Sequence, residues 1–235
     1  MELTIMNDSC SVTLSSKGAM LRSLKKENLE YLWQGNPAYW AGQAPVCFPI
    51  VGVLPEGKAT AFGKPCAMKR HGIARISPFE VLENHKNGVT FVQHAAEETK
   101  KAYPFDYTLE IRYELLGSTV TNAYVIHNTG DTPMPFAIGG HPAFNCPLCD
   151  GEQFEDYKVV FDRQMTKAVL RPDHQTGLVD FDKRFAVLQN SDTLPMQHDL
   201  FYEDALIFDH IASKKATLIG PAGHGICLEY PDMAN

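Results

Sequence analysis

A chain of 235 residues with 44% hydrophobic and 21% charged residues carries enough apolar side chains for one large globular core or two small ones. Its net charge of -7 and the lack of any Lys/Arg run argue against a nucleic-acid partner, because binders of the phosphate backbone concentrate a basic footprint. The opening residues MELTIMNDSC have no basic region followed by an apolar one, and no window reaches the ~20 apolar residues of a bilayer span, so a cytoplasmic protein without a membrane partner is expected.

Along the chain the dominant hydrophobic period is two. Strand-like runs are read at 79–82 and 89–94, followed by a short helical turn at 95–101. In DYTLEIRYELL, Tyr107, Leu109, Ile111, Tyr113 and Leu115 alternate with polar residues, the pattern of a half-buried strand. Gly117-Ser118 turns the chain into TVTNAYVIHN, rich in β-branched and aromatic residues and closed by Asn128-Thr129-Gly130-Asp131, so the two runs predict an antiparallel pair. A helical turn at 151–156 and strands at 158–161, 205–208, 216–219 and 226–230 complete the reading. Short strands, frequent turn signals and no sustained 3.6-residue period predict an all-β sandwich. With neither a low-complexity linker nor a repeat, one domain over 1–235 is expected.

Six cysteines in a chain of this length do not make a dense disulfide framework, and without an export signal they read as reduced thiols. Cys146-Pro147-Leu148-Cys149 has the spacing of half a zinc site or a redox dithiol, yet no second C-x-x-C or H-x-x-x-H completes it. Two loop cysteines are the expectation.

Two histidines stand in unusual settings. In FAIGGHPAFN, Gly139 and Gly140 leave space beside His141 and permit backbone angles closed to other residues, while Pro142 biases His141 toward an extended conformation. In KRHGIAR, Gly72 allows a close approach behind His71, and Arg70 and Arg75 are cationic donors for a hydroxyl, carboxylate or phosphate. Taken alone, the first motif is accounted for equally well by a turn histidine capping a carbonyl, and an arginine near a histidine is more often solvated or structurally paired.

Taken together, APVCFPIVGVL, HGIAR, YPFDYTLEIRYEL, IGGHPAFNCPL and EDALIF resemble, in order and approximate spacing, the aldose 1-epimerase (galactose mutarotase-like) family, in particular its bacterial aldose 1-epimerase-related branch. The resemblance implies a large antiparallel β-sandwich of the galactose mutarotase-like type with a sugar in an open cleft, and neither metal nor cofactor. The implied reaction interconverts the α and β anomers of a free hexose by acid/base ring opening. His141 carries over as the general acid at the ring oxygen, and His71 as the histidine that binds the same region and stabilises charge. Asp204, in YEDALIF, carries over as an acceptor for sugar hydroxyls, and Arg75 as a donor to a hydroxyl or, in the hexose-phosphate branch, to a phosphate. Arg70 is a looser candidate. Trp33 and Trp40, in LWQGNPAYW, offer ring faces to a sugar or ordinary rim packing.

The family's general base is a glutamate in a C-terminal C-I-E-P-W-like motif. Glu229, in GICLEYPD, lacks the following Pro-Trp and is read as a strand residue, so a chain lacking its C-terminal strands is expected. Three functions follow as alternatives: an aldose 1-epimerase or a related hexose-phosphate epimerase, a carbohydrate-binding relative that lost its base, and a metal enzyme built on His71, His94 and His141. The last lacks a paired carboxylate.

Overall fold

The computed structural model describes residues 1–233 and divides into two compact units, Met1–Ala143 and Phe144–Asn235. In the first unit, β1 (Glu2–Met6), β2 (Cys10–Ser15), β3 (Met20–Lys26) and β4 (Leu29–Glu30) form an antiparallel sheet in chain order. Alternation sets the inward face of β2, where Cys10, Val12 and Leu14 are buried. Three short pieces follow: β5 (Val46–Cys47) and the hairpin of β6 (Lys58–Ala61) with β7 (Lys64–Ala67).

A second sheet holds β8 (Glu80–His85), β9 (Gly88–His94), β10 (Tyr107–Leu116) and β11 (Thr119–Asn128), in the order β11-β10-β9-β8, with the one-turn helix α1 (Glu97–Lys100) between β9 and β10. The period-two pattern read along β10 is the observed one: Tyr107, Leu109, Ile111, Tyr113 and Leu115 are all buried. At about 1.5–3 kcal/mol for each large apolar side chain withdrawn from water, this face is a main stabilising element. Its aromatic end joins Phe48 and Tyr103, whose rings lie 5.1 and 6.1 Å from that of Tyr107. The last strand of the unit, β12 (Gly139–Gly140), pairs antiparallel with β5.

The second unit contains one antiparallel sheet in the order β14-β13-β15-β16, from β13 (Lys158–Val169), β14 (Phe185–Pro195), β15 (Lys215–Ile219) and β16 (Gly225–Glu229). Phe161, Leu188, Leu194 and Ile211 form its buried centre. Strand β13 runs far beyond the expected 158–161 because register shifts between Val160 and Ala168 absorb its irregular polar stretch. The run at 205–208 is not a strand. It makes a single bridge, Leu170 to Ile207, and is bracketed by left-handed residues Asp204 (φ 84°) and His210 (φ 47°), which end strand pairing on both sides. The two helical turns are present in shortened form, as α1 and a 3-10 turn at Phe154–Asp156.

Candidate functional site

The β5/β12 pair is longer than its two strand residues suggest. Ala137 N donates to Pro49 O (2.9 Å), His141 N to Pro45 O (3.0 Å) and Ala143 N to Gln43 O (2.8 Å), all in the register of Gly139 opposite Cys47 and Gly140 opposite Val46. On the other side of this central segment, Phe48 bridges Gly72 in parallel, with Ile73 N donating to Phe48 O at 2.8 Å. Residues 45–49 are therefore flanked by the segment carrying His141 and the turn carrying His71. The two imidazole rings lie 5.1 Å apart, tilted by 60°.

Glycines permit this approach at two points. A Cβ on Gly72 (φ 73°) would sit 2.3 Å from Phe48 O, and one on Gly140 would sit 2.8 Å from the Tyr124 hydroxyl. The Tyr124 phenol is itself held by Asn122 Nδ2 at 2.9 Å, so β11 limits the space behind the His141 strand.

His71 occupies the left-handed region (φ 66°), a strained setting for a residue with a Cβ. Its backbone N–H donates to Gly52 O (2.8 Å), while its Nδ1 accepts from Gly52 N (3.1 Å). That second bond leaves the proton of the neutral ring on Nε2. Burial, reinforced by electrostatic interaction with His141, Arg75 and Arg70, pushes the His71 pKa down to about 4. At neutral pH His71 is thus an uncharged donor. Two imidazolium ions at this separation would repel by about 3 kcal/mol at an effective dielectric of 20, so the pair accommodates one positive ring more readily than two.

This arrangement makes stability depend on pH in a defined direction. The unfolded chain binds a proton on His71 near pH 6.5, whereas the folded ring takes one only near pH 4. Its contribution is complete above about pH 6.5 and is lost as pH falls toward 4. Urea unfolding across this range should show His71→Asn, which tolerates a left-handed backbone and retains an acceptor for Gly52, losing less stability on acidification than the parent. Parallel curves would contradict the assigned environment.

His141 is exposed and its ring has a second neighbour, Trp40, with centroids 5.3 Å apart. Arg75 is half-buried and donates from Nη1 to Arg70 O at 3.4 Å. Its charge opposes the rise that burial gives the Cys47 thiol, whose pKa reaches about 11, and it therefore lies near the same central segment. The first unit brings together His71, His141, Arg70 and Arg75. Contacts with Gly52 and Trp40 complete the surround. Trp40 is named from the sequence for its ring face, but its place beside His141, like the bonds of Gly52 to His71, arises only through long-range pairing.

Asp204 belongs to the second unit, where its left-handed backbone follows the 3-10 turn His198–Phe201 and its Oδ1 accepts from Ala205 N at 2.7 Å. Glu229 ends β16 directly opposite Lys215, and the two side chains form an ion pair of 3.1 Å. Cys146 and Cys149 are free thiols in a loop, with pKa values raised first by burial and then by nearby carboxylates including Glu152. Such thiols resist forming the thiolate that redox or metal chemistry requires. His94 pairs with the Thr108 hydroxyl at 3.2 Å. Among the described residues no group of three His, Cys, Asp or Glu side chains is placed to hold a metal ion, and no helix is long and apolar enough to cross a membrane.

An antiparallel all-β protein with two histidines paired beside arginines is the class that this fold and site define. The family model for aldose 1-epimerase matches residues 1–226, and the chain belongs to that family. It is 34% identical over 246 residues to Protein LacX (chromosomal) of Lactococcus lactis subsp. lactis, covering all of this chain and 81% of that protein. Among solved structures, a galactose mutarotase related enzyme from Lactobacillus acidophilus is 32% identical with a TM-score of 0.88, covering 100% of this chain and 83% of that one. A galactose mutarotase-like protein from Lactobacillus casei is 31% identical with a TM-score of 0.85, covering 99% and 80%. The fold is the β-sandwich of the galactose mutarotase-like type.

Proposed function

We propose that the chain is an aldose 1-epimerase that interconverts the α and β anomers of a free hexose, with His141 as general acid and His71 as a fixed hydrogen-bond donor. A base takes the proton of the C1 hydroxyl as the C1–O5 bond breaks. The electron pair passes to O5, which receives a proton from the His141 imidazolium. Rotation about C1–C2 and closure on the other face reverse these transfers. The observation that carries this reading is the 5.1 Å pairing of His141 with a His71 whose tautomer and neutrality are set by Gly52 and by burial. A neutral His71 offers Nε2–H to the oxygen on which electrons accumulate.

Arg70 and Arg75 beside His71 favour a second reading, a hexose phosphate as substrate, because guanidinium groups match phosphate oxygens. Polarimetry with α-D-glucose, α-D-galactose and α-D-glucose 6-phosphate separates the two, the proposal requiring decay to equilibrium at a rate proportional to protein concentration. Sugar binding without acceleration would indicate a binding protein instead. Since Glu229 is engaged by Lys215 across the β15–β16 register, Glu229→Gln should leave the rate within about twofold of the parent. Abolished turnover in that variant would make Glu229 the general base, a group typically worth about 10²- to 10⁴-fold.

A further inference from the structure

We infer that the indole of Trp40 is a wall of the sugar site, receiving the apolar C–H face of the pyranose next to His141; the inference rests on the mutarotase reading. The Trp40 and His141 rings are in contact, 5.3 Å between centroids and tilted by 48°, so a sugar whose ring oxygen reaches His141 lies within reach of the indole. Core aromatics of the first unit such as Phe48, Phe105 and Tyr107 are at most 2% exposed, whereas Trp40 keeps 36% of its surface open and its neighbour Tyr39 keeps 84%.

An exposed tryptophan is usually mobile, but this one is fastened from several sides. Asn36 bridges Trp40, its backbone N–H donating to Trp40 O at 3.1 Å. The same carbonyl accepts the indole N–H of Trp33 at 2.9 Å, and Trp33 N donates to Ala143 O at 2.9 Å, two residues beyond His141. Trp33 thereby ties the Trp40 loop to the strand of the acid. The Trp40 ring also packs close to Gly42, where a Cβ would come within 2.4 Å of Cζ2. A loop organised to hold a large apolar face rigid, partly open and against an acid suits a ligand that is itself half apolar.

Ring opening supplies the chemical reason for such a surface. The substrate passes from a closed pyranose to an open aldehyde and rotates about C1–C2 inside the site. Directional hydrogen bonds to every hydroxyl would oppose that change of shape, while contact between C–H groups and an aromatic face tolerates it. Trp40 then contributes binding to sugar and transition state alike, which is expressed in KM more than in kcat.

The protein has two tryptophans, and this permits a direct test. Titration with D-galactose and D-glucose, followed by tryptophan emission, should give a saturable change in the parent and in Trp33→Phe but not in Trp40→Phe. In polarimetry, Trp40→Ala should raise KM about tenfold with kcat within about twofold, and Trp40→Phe should recover most of the loss. Emission that responds through Trp33 alone overturns the inference, as does a folded Trp40→Ala chain with unchanged KM, or one whose loss falls on kcat alone. Should Trp40→Ala fail to fold, the emission titrations and Trp40→Phe kinetics decide. A parent chain with neither aldose turnover nor a saturable emission change would remove the mutarotase reading and the wall together, whereas an active enzyme indifferent to position 40 would remove only the wall.

Discussion

Replacement of His141 by asparagine is expected to lower anomer interconversion by about 10²- to 10⁴-fold, the range lost when a positioned general acid is removed. The side chain is exposed and the residue is held through its backbone, by the bond from its N–H to Pro45 O, so the ladder should survive the change. Thermal unfolding of His141→Asn should therefore match the parent while polarimetry shows the loss. The neutral His71 is a poor substitute as acid: its proton on Nε2 belongs to an imidazole rather than an imidazolium at neutral pH, a much weaker acid than one whose pKa lies near the operating pH. A rate within about twofold of the parent would withdraw the assignment of His141.

The second large effect is expected at Gly72 and falls on stability. Alanine there must adopt φ near 73° and place its Cβ 2.3 Å from Phe48 O, 2.6 Å from Phe48 C and 2.9 Å from Pro49 N. All three are backbone atoms of the segment that joins the two histidine strands, and Phe48 is itself completely buried among Tyr103, Tyr107 and Phe136. Neither partner can move cheaply. Left-handed strain of roughly 1–2 kcal/mol and overpacking of about 1–3 kcal/mol together predict a loss of about 2–5 kcal/mol, a large share of the roughly 5–15 kcal/mol by which domains are stable. Urea unfolding of Gly72→Ala measures it, and a change below about 0.5 kcal/mol would mean that the close approach of the two segments is wrong. Because relief must come from separating residues 48 and 72, what activity remains should be reduced as well.

Part of this architecture was legible residue by residue. The alternation in Tyr107–Leu116 states which face of β10 is buried, since successive side chains point to opposite sides of a strand. The turn at Gly117-Ser118 and the partner run Thr119–Asn128 follow from neighbouring residues alone. The run at 205–208 misled because β-propensity is local, while strand formation requires a partner along its whole length. Left-handed residues at 204 and 210 restrict that partner to one bridge. The long β14 was not anticipated for the complementary reason: its partner β13, with several register shifts, disguises the period of two.

By itself, then, the sequence determined the antiparallel all-β character of the chain and the two glycine-framed histidines, because side-chain alternation and the steric demands of glycine act over a few residues. Only the tertiary structure decided how those histidines are placed and what surrounds them. Pairing of residues 43–49 with 137–143 on one side and with the turn at 71–73 on the other brings the two rings to 5.1 Å. The Gly52 N–H then selects the His71 tautomer, burial and surrounding positive charge keep that ring neutral, and Trp33 fastens Trp40 beside His141. Each of these depends on groups distant in the chain. Hydrogen bonding, desolvation and charge act through space, so their effects on a side chain are defined only once the backbone has folded around it.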